Sequence, residues 1–369
     1  MPSLYIGLMS GTSLDGVDGV LVNFEGQRPE VLSHQALPFG TSLKQSLFDL
    51  NTPAENELHH AALAANRLVH VYADTVQALL QTSGLHPHQI HAIGAHGQTV
   101  RHQPGAFDGT GYTLQLNNPS LLAELTGIDV VADFRSRDVA AGGQGAPLVP
   151  LFHQHMFAHA AHTVGVLNLG GIANLSVLPP AGDAQGFDCG PGNALLDHWC
   201  QQHTGQPFDN NGAWARRGQV IAPLLDGLLE EPFLHLPPPK STGRDLFNPT
   251  WLAQQLEGFA SASPVDVQAT LTELTARACV ADVRRYAPEA TELMVCGGGA
   301  LNGWLMARLQ SGLPQLQVVS TAERGLPPLQ VEAAAFAWLA RQTVRRLPGN
   351  SPKVTGAQGA RILGGVFPA

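Results

Sequence analysis

Three glycine-rich segments of this 369-residue chain could bring backbone N–H groups against an anion. The first is Gly11-Thr12-Ser13-Leu14-Asp15-Gly16-Val17-Asp18. Glycine lets a ligand approach the main chain, and the Thr12 and Ser13 hydroxyls add donors, a combination suited to polyphosphate. Asp15 and Asp18 would repel a phosphate unless a cation such as Mg2+ lay between, bound directly or through its waters. Asp15-Gly16 also reads as a plain hairpin turn, which Asp-Gly favours, and the two readings are compatible. The second segment is Asn168-Leu169-Gly170-Gly171, and the third is Gly297-Gly298-Gly299 running to Asn302. A P-loop is excluded, because its lysine follows a glycine and Lys44, Lys240 and Lys353 do not. The dinucleotide fingerprint fails too, since Asn302 stands where its third glycine belongs.

Other reactive side chains give weaker signals. His155 and His159 share a helical spacing, with His153 and His162 nearby, but no carboxylate or cysteine completes a zinc pattern. Cys189, Cys200, Cys279 and Cys296 lie far apart and read as reduced, buried residues rather than a disulfide framework. Net charge is −9, from 29 acidic and 20 basic residues, which argues against a nucleic-acid or anionic-membrane partner. With 44% apolar and 13% charged residues and a mean hydropathy of +0.01, the chain can bury sizeable cores. No apolar run reaches membrane-spanning length and the N-terminus lacks signal-peptide character, so the expected location is cytoplasmic.

These segments need elements to hold them. Apolar, β-branched runs alternate with helical patterns, which predicts an α/β fold, and the length suggests two domains. Strands are expected at 4–9, 17–24, 91–96, 112–116, 128–132, 163–169, 173–178, 292–296 and 316–320. Thr52-Pro53-Ala54-Glu55 reads as a capping box opening a helix towards Gly84, and Ser263-Pro264-Val265-Asp266 opens another ending near Tyr286. A last helix is expected over 331–347, and Pro237-Pro238-Pro239-Lys240 reads as a rigid surface loop. Strand, glycine turn, strand occurs twice, at Ile6 and about 158 residues later at Val164, which predicts two related halves each opening on a β-hairpin. The boundary is placed near 133–145, where turn-prone Ala-Ala-Gly-Gly-Gln-Gly occurs, giving domains 1–133 plus about 351–369, and 134–350.

In this order the three glycine segments resemble the superfamily of sugar kinases, actin and heat-shock chaperones. That resemblance implies two ribonuclease-H-like domains with an ATP cleft between them, the actin-like ATPase fold. Six segments narrow the likeness to the anhydro-N-acetylmuramic acid kinase family along nearly the whole chain. They are Gly7-Leu-Met-Ser-Gly-Thr-Ser-Leu-Asp-Gly-Val-Asp18, Ala95-His-Gly-Gln-Thr99, Asp133-Phe-Arg-Ser-Arg-Asp138, Asn168-Leu-Gly-Gly-Ile-Ala-Asn174, Phe187-Asp-Cys-Gly-Pro-Gly-Asn193 and Gly297-Gly-Gly-Ala-Leu-Asn302. Cys189 departs from the family's threonine, so a hydroxyl there is not essential to the neighbouring aspartate.

The resemblance implies an ATP-dependent phosphotransferase of peptidoglycan recycling that opens the 1,6-anhydro ring with water and phosphorylates O6, and it suggests a homodimer through helices of the second domain. Asp188 corresponds to the catalytic base; by itself it could simply be hydrogen-bonded into its Gly190-Pro191-Gly192 turn. Gly11 to Asp18, Asn168, Gly170, Gly171 and Gly190 are expected at the phosphates, and Gly297, Gly298, Gly299 and Asn302 at adenosine, with Mg2+ near Asp15 and Asp18. Arg135 would grip the muramyl carboxylate, its competing role being an ion pair with Asp133 or Asp138. His96 and Thr99 would line the sugar pocket, and Glu332 would reach it from the second domain, unless it only serves the helix dipole. Two rivals are weighed: a glycosidase pairing Asp188 with Glu332, which leaves the glycine loops without a role, and a nucleotide-switched binding protein, for which no client module follows residue 350. Because water must reach the sugar but not ATP, closure on substrate is expected.

Overall fold

The first strand is buried along almost its whole length, so helices must cover both faces of its sheet. The computed structural model describes residues 3–11, 13–26, 28–243 and 246–369; Thr12, expected at the phosphates, lies outside them. Contacts divide the chain into one unit of 1–156 with 330–369, and a second of 157–329.

In the first unit, β1 (Leu4–Met9) runs antiparallel to β2 (Gly16–Asn23), which pairs with β3 (Glu30–Pro38). On its other side β1 is parallel to β4 (Ala92–Ala95). A separate ribbon joins β5 (Gln98–Pro104) to β6 (Gly111–Leu116). β7 (Val130–Ala132) then continues the main sheet beside β4. In the second unit β8 (Thr163–Leu169), β9 (Ile172–Leu178) and β10 (Gln185–Pro191) form the antiparallel meander. β11 (Ala290–Cys296) and β12 (Gln317–Ser320) extend it in parallel from β8. β13 (Gly365–Phe367) closes the first sheet against β7. The orders β3-β2-β1-β4-β7 and β10-β9-β8-β11-β12 are thus the same, each the ribonuclease-H-like arrangement, and the repeat expected from the two glycine hairpins is real.

Helices cover both sheets. The alanine-rich helix Val331–Val344 lies so close to β1 and β4 that a Cβ on Gly7 would stand 1.9 Å from the Ala333 carbonyl oxygen, and one on Gly94 2.0 Å from that of Phe336. The helix Glu57–Ser83 buries Leu68, Tyr72, Val76 and Leu79 in the first core. In the second unit Pro264–Tyr286 and Gly303–Gly312 pack on the sheet around Leu167, Phe187, Cys279 and Leu305.

Several expectations are corrected. The helix expected at Thr52 begins at Glu57, after a left-handed Asn56, and the Thr52 hydroxyl donates instead to the Asp49 carbonyl. The last helix ends at Val344 and belongs to the first unit, because its alanine face fits the glycines of β1 and β4. The expected boundaries at 133/134 and near 351 accordingly differ from the contact divisions at 156/157 and 329/330. Ala140 to Gly145 folds around the fully buried Asp138, whose carboxylate accepts from Gly145 N at 2.8 Å, Asn350 Nδ2 at 2.6 Å and Thr355 Oγ1 at 2.7 Å. Lys240 is buried, not on a surface loop.

Candidate active site

The hairpin turn between β1 and β2 is shaped by its sequence. Leu14 takes a left-handed φ of 58° with its side chain buried, and its N–H donates to the Gly11 carbonyl at 3.2 Å. The tight bend thus falls on Leu14, while Gly16 already belongs to β2, where a Cβ would meet the Leu37 carbonyl oxygen at 2.2 Å. The Ser13 and Asp15 side chains are exposed and that of Val17 is buried. Asp15 Oδ1 lies 3.4 Å from Lys44 Nζ, and Asp18 Oδ1 3.1 Å from His34 Nε2. Under the turn, the Tyr72 hydroxyl bonds Ser10 Oγ at 3.0 Å and accepts from Gly97 N at 3.1 Å. Burial raises the Tyr72 pKa, so the phenol stays protonated and ties the hairpin to the loop after β4. Nothing local in the sequence announced Tyr72.

That loop carries His96, buried at 4% exposure, its ring tilted against that of Phe336 with centroids 4.6 Å apart. Its Nε2 accepts from Arg135 Nη2 at 2.9 Å and Nε at 3.1 Å, so the imidazole is neutral with its proton on Nδ1. Burial first, and the Arg135 charge second, hold its pKa well below the usual histidine value. Arg135 Nη1 donates to the Gly145 carbonyl at 2.8 Å. His96, Arg135 and the loop gathered around Asp138 therefore form one connected group, with the guanidinium at its half-buried edge. Thr99, on β5, accepts from Gln115 Nε2 at 3.3 Å. Glu332 lies in the first turn of Val331–Val344 and so in the first unit with His96 and Arg135, correcting its expected place in the second domain.

The second unit holds the remaining candidates. Cross-strand register sets Cys296 opposite Asn168, Asn168 opposite Asn174, and Asn174 opposite Asp188. Directly opposed residues share a sheet face, so these four side chains make one row across β11, β8, β9 and β10. The row lies at the end of β8 that leads into Gly170-Gly171. Asn193 clamps this turn: its N–H donates to the Gly170 carbonyl at 2.7 Å and its Nδ2 to that of Leu169 at 2.8 Å. The turn is not crowded, for a Cβ on Gly170 would make only ordinary contacts, none nearer than 3.6 Å. Asn174 Oδ1 is buried and lacks a hydrogen-bond partner among the described residues, so it requires a donor from a ligand or water.

Asp188, 9% exposed, accepts from Thr242 N at 2.9 Å through Oδ2, and its own N–H donates to the Lys240 carbonyl at 3.1 Å. Its carboxylate is thus held by a passing segment. Gly190 next to it has φ 148°, and a bulge between Asp188 and Gly190 turns Cys189 to the opposite face among Ala276 and Cys279. Burial raises the Cys189 thiol's pKa, so this side chain is an inert apolar filler beside the aspartate. Gly297, at φ 77°, and Gly299 pack against Leu169, while Gly298 is exposed. Asn302 caps Gly303–Gly312 by accepting from Leu305 N at 3.0 Å. Among the described residues no group of three or more His, Cys, Asp or Glu could hold a metal ion, and the His159 and His162 rings simply stack at 3.9 Å. No described helix is long and apolar enough to cross a membrane.

Two ribonuclease-H-like units, each opening on a glycine hairpin, with an acidic side chain beside the second, define a protein of the sugar-kinase and actin class. The model of the anhydro-N-acetylmuramic acid kinase family matches residues 3–369, and the chain belongs to that family. It is accordingly a phosphotransferase acting on a small amino sugar. Relatives named anhydro-N-acetylmuramic acid kinase are 62% identical in Albidiferax ferrireducens, over 100% of both chains, and 61% identical in Variovorax paradoxus, over 99% of both. Another in Nitrosomonas europaea is 53% identical, again over 99% of both.

Proposed function

We propose that the chain opens the 1,6-anhydro ring of anhydro-N-acetylmuramic acid with water and transfers the terminal phosphoryl group of ATP to O6. The products are N-acetylmuramate 6-phosphate and ADP, in cytoplasmic cell-wall recycling. The observation that carries this reading is the fixed Asp188 carboxylate at the end of a polar row beside an uncrowded glycine turn. Asp188 takes a proton from water as the water oxygen bonds to the anomeric carbon. The bond from that carbon to O6 breaks, and its electrons stay on O6, which becomes the nucleophile towards phosphorus. Asn174 Oδ1, which requires a donor, suits the same water or a sugar hydroxyl.

Arg135, oriented by His96 and Gly145, is assigned to the lactyl carboxylate, with His96, Thr99 and Glu332 beside the sugar. Gly11 to Asp18, Asn168, Gly170, Gly171 and Gly190 are assigned to the phosphates and Gly297, Gly298, Gly299 and Asn302 to adenosine. Asp15 and Asp18 fit Mg2+ held through its waters: both offer hard oxygen donors, and both are solvent-accessible. When bound, that ion would neutralise charge building on the transferred group. Association into a homodimer belongs to the same reading. The test is ATP consumption with and without the anhydro sugar, the product located by mass spectrometry and NMR. A ring-opened 6-phosphate is expected; ATP turnover with no phosphosugar refutes the reading. In the same assay Asp188→Asn should keep ATP binding and lose about 100- to 10,000-fold in turnover.

A further inference from the structure

β10 is the edge strand of its sheet, so its outer side needs a partner for its backbone groups. The segment after Pro237-Pro238-Pro239 supplies it: the Lys240 carbonyl accepts from Asp188 N, and two residues on, Thr242 N donates to the Asp188 carboxylate. One side chain of this segment, Lys240, reaches into the core. Its stem passes inward, 1% exposed, and the ammonium lies 3.1 Å from Asp282 Oδ2 on the helix Pro264–Tyr286. It also lies 5.7 Å from the Phe187 ring centroid and 5.2 Å from that of Phe233. Asp282 is itself only 7% exposed. A buried ion pair gains little stability over apolar side chains of similar volume, because both charges must be stripped of water. Its presence one residue pair from the proposed base needs another reason.

We infer that Lys240, anchored by Asp282, is a positioning residue that fixes the Lys240–Thr242 segment and thereby the orientation of the Asp188 carboxylate towards the attacking water. The inference rests on Asp188 being the base. Lys240 touches no reacting atom; it acts through the two backbone hydrogen bonds that its own segment gives Asp188. A carboxylate displaced by an ångström loses rate without losing substrate, so the effect belongs in kcat.

The test is the double variant Lys240→Met, Asp282→Leu, which removes both charges together and leaves neither buried alone. It is expected to fold with a near wild-type melting temperature and unchanged KM for sugar and ATP, while kcat falls about 10- to 100-fold. A folded double variant with wild-type kcat overturns the inference. Asp188→Asn measured alongside separates the two readings: if it too turns over normally, the base assignment fails, and if it is inactive while the double variant is fully active, only the positioning role fails. Should the double variant not fold, Asp282→Asn keeps an acceptor for Lys240 and carries the test. There the Thr242 amide should exchange hydrogen faster and kcat should drop with KM unchanged; unchanged exchange and kcat overturn the inference equally.

Discussion

His96 and His153 make the protein's stability fall in mild acid by an amount that can be worked out. Both are buried, at 4% and 0% exposure. Burial lowers the His153 pKa to about 3, and burial with the Arg135 charge lowers that of His96 well below 6.5. In the unfolded chain each takes up a proton near pH 6.5. Below that pH the unfolded state therefore binds more protons than the folded one, and the free energy of unfolding decreases as pH falls. Above about pH 7 neither contributes a slope. With a folded pKa of about 3, His153 costs about 1.4 kcal/mol per pH unit, or about 2 kcal/mol between pH 6.5 and 5.0, and His96 shifts stability in the same direction. Urea unfolding of wild type and His96→Gln over that range isolates one share, since glutamine still offers Arg135 an acceptor but does not titrate. The variant's slope should be smaller than that of the wild type. Equal slopes would show that His96 takes up its proton in the folded protein as readily as in the unfolded chain and that Nε2 does not accept from Arg135.

Arg135→Ala should raise KM for the anhydro sugar about 10- to 100-fold, the worth of a charge-assisted bidentate bond, with KM for ATP little changed; an unaltered sugar KM removes Arg135 from the carboxylate. Gly94→Ala places a Cβ 2.0 Å from the Phe336 carbonyl oxygen, backbone against backbone, so the helix Val331–Val344 must move off β4. A loss of about 3 kcal/mol in chemical denaturation is expected, and a loss under about 1 kcal/mol would mean that this helix is not held where the glycines place it.

What the sequence revealed was local. Both hairpins were legible because apolar alternation and glycine sit within a few residues of each other, and the strand at 163–169 falls where its β-branched run predicts. β3 and β10 were missed: the first mixes polar and apolar residues on a half-exposed edge, and the second ends in glycine and proline, with its outer edge completed by a segment more than fifty residues on. Lys240 looked like part of an exposed proline loop because its anion, Asp282, comes from a helix that composition cannot pair with it. The same holds for Asp138, whose partners Asn350 and Thr355 are 212 and 217 residues away. Motif reading also joined two causes under one letter. Gly11 and Gly170 stand at turns where a Cβ would make only ordinary contacts, whereas Gly7, in the same run as Gly11, is glycine because a helix lies against it. A run that looks like one ligand loop is therefore part uncrowded turn and part packing seam. An alanine at Gly7 should disturb stability first and nucleotide affinity only through it.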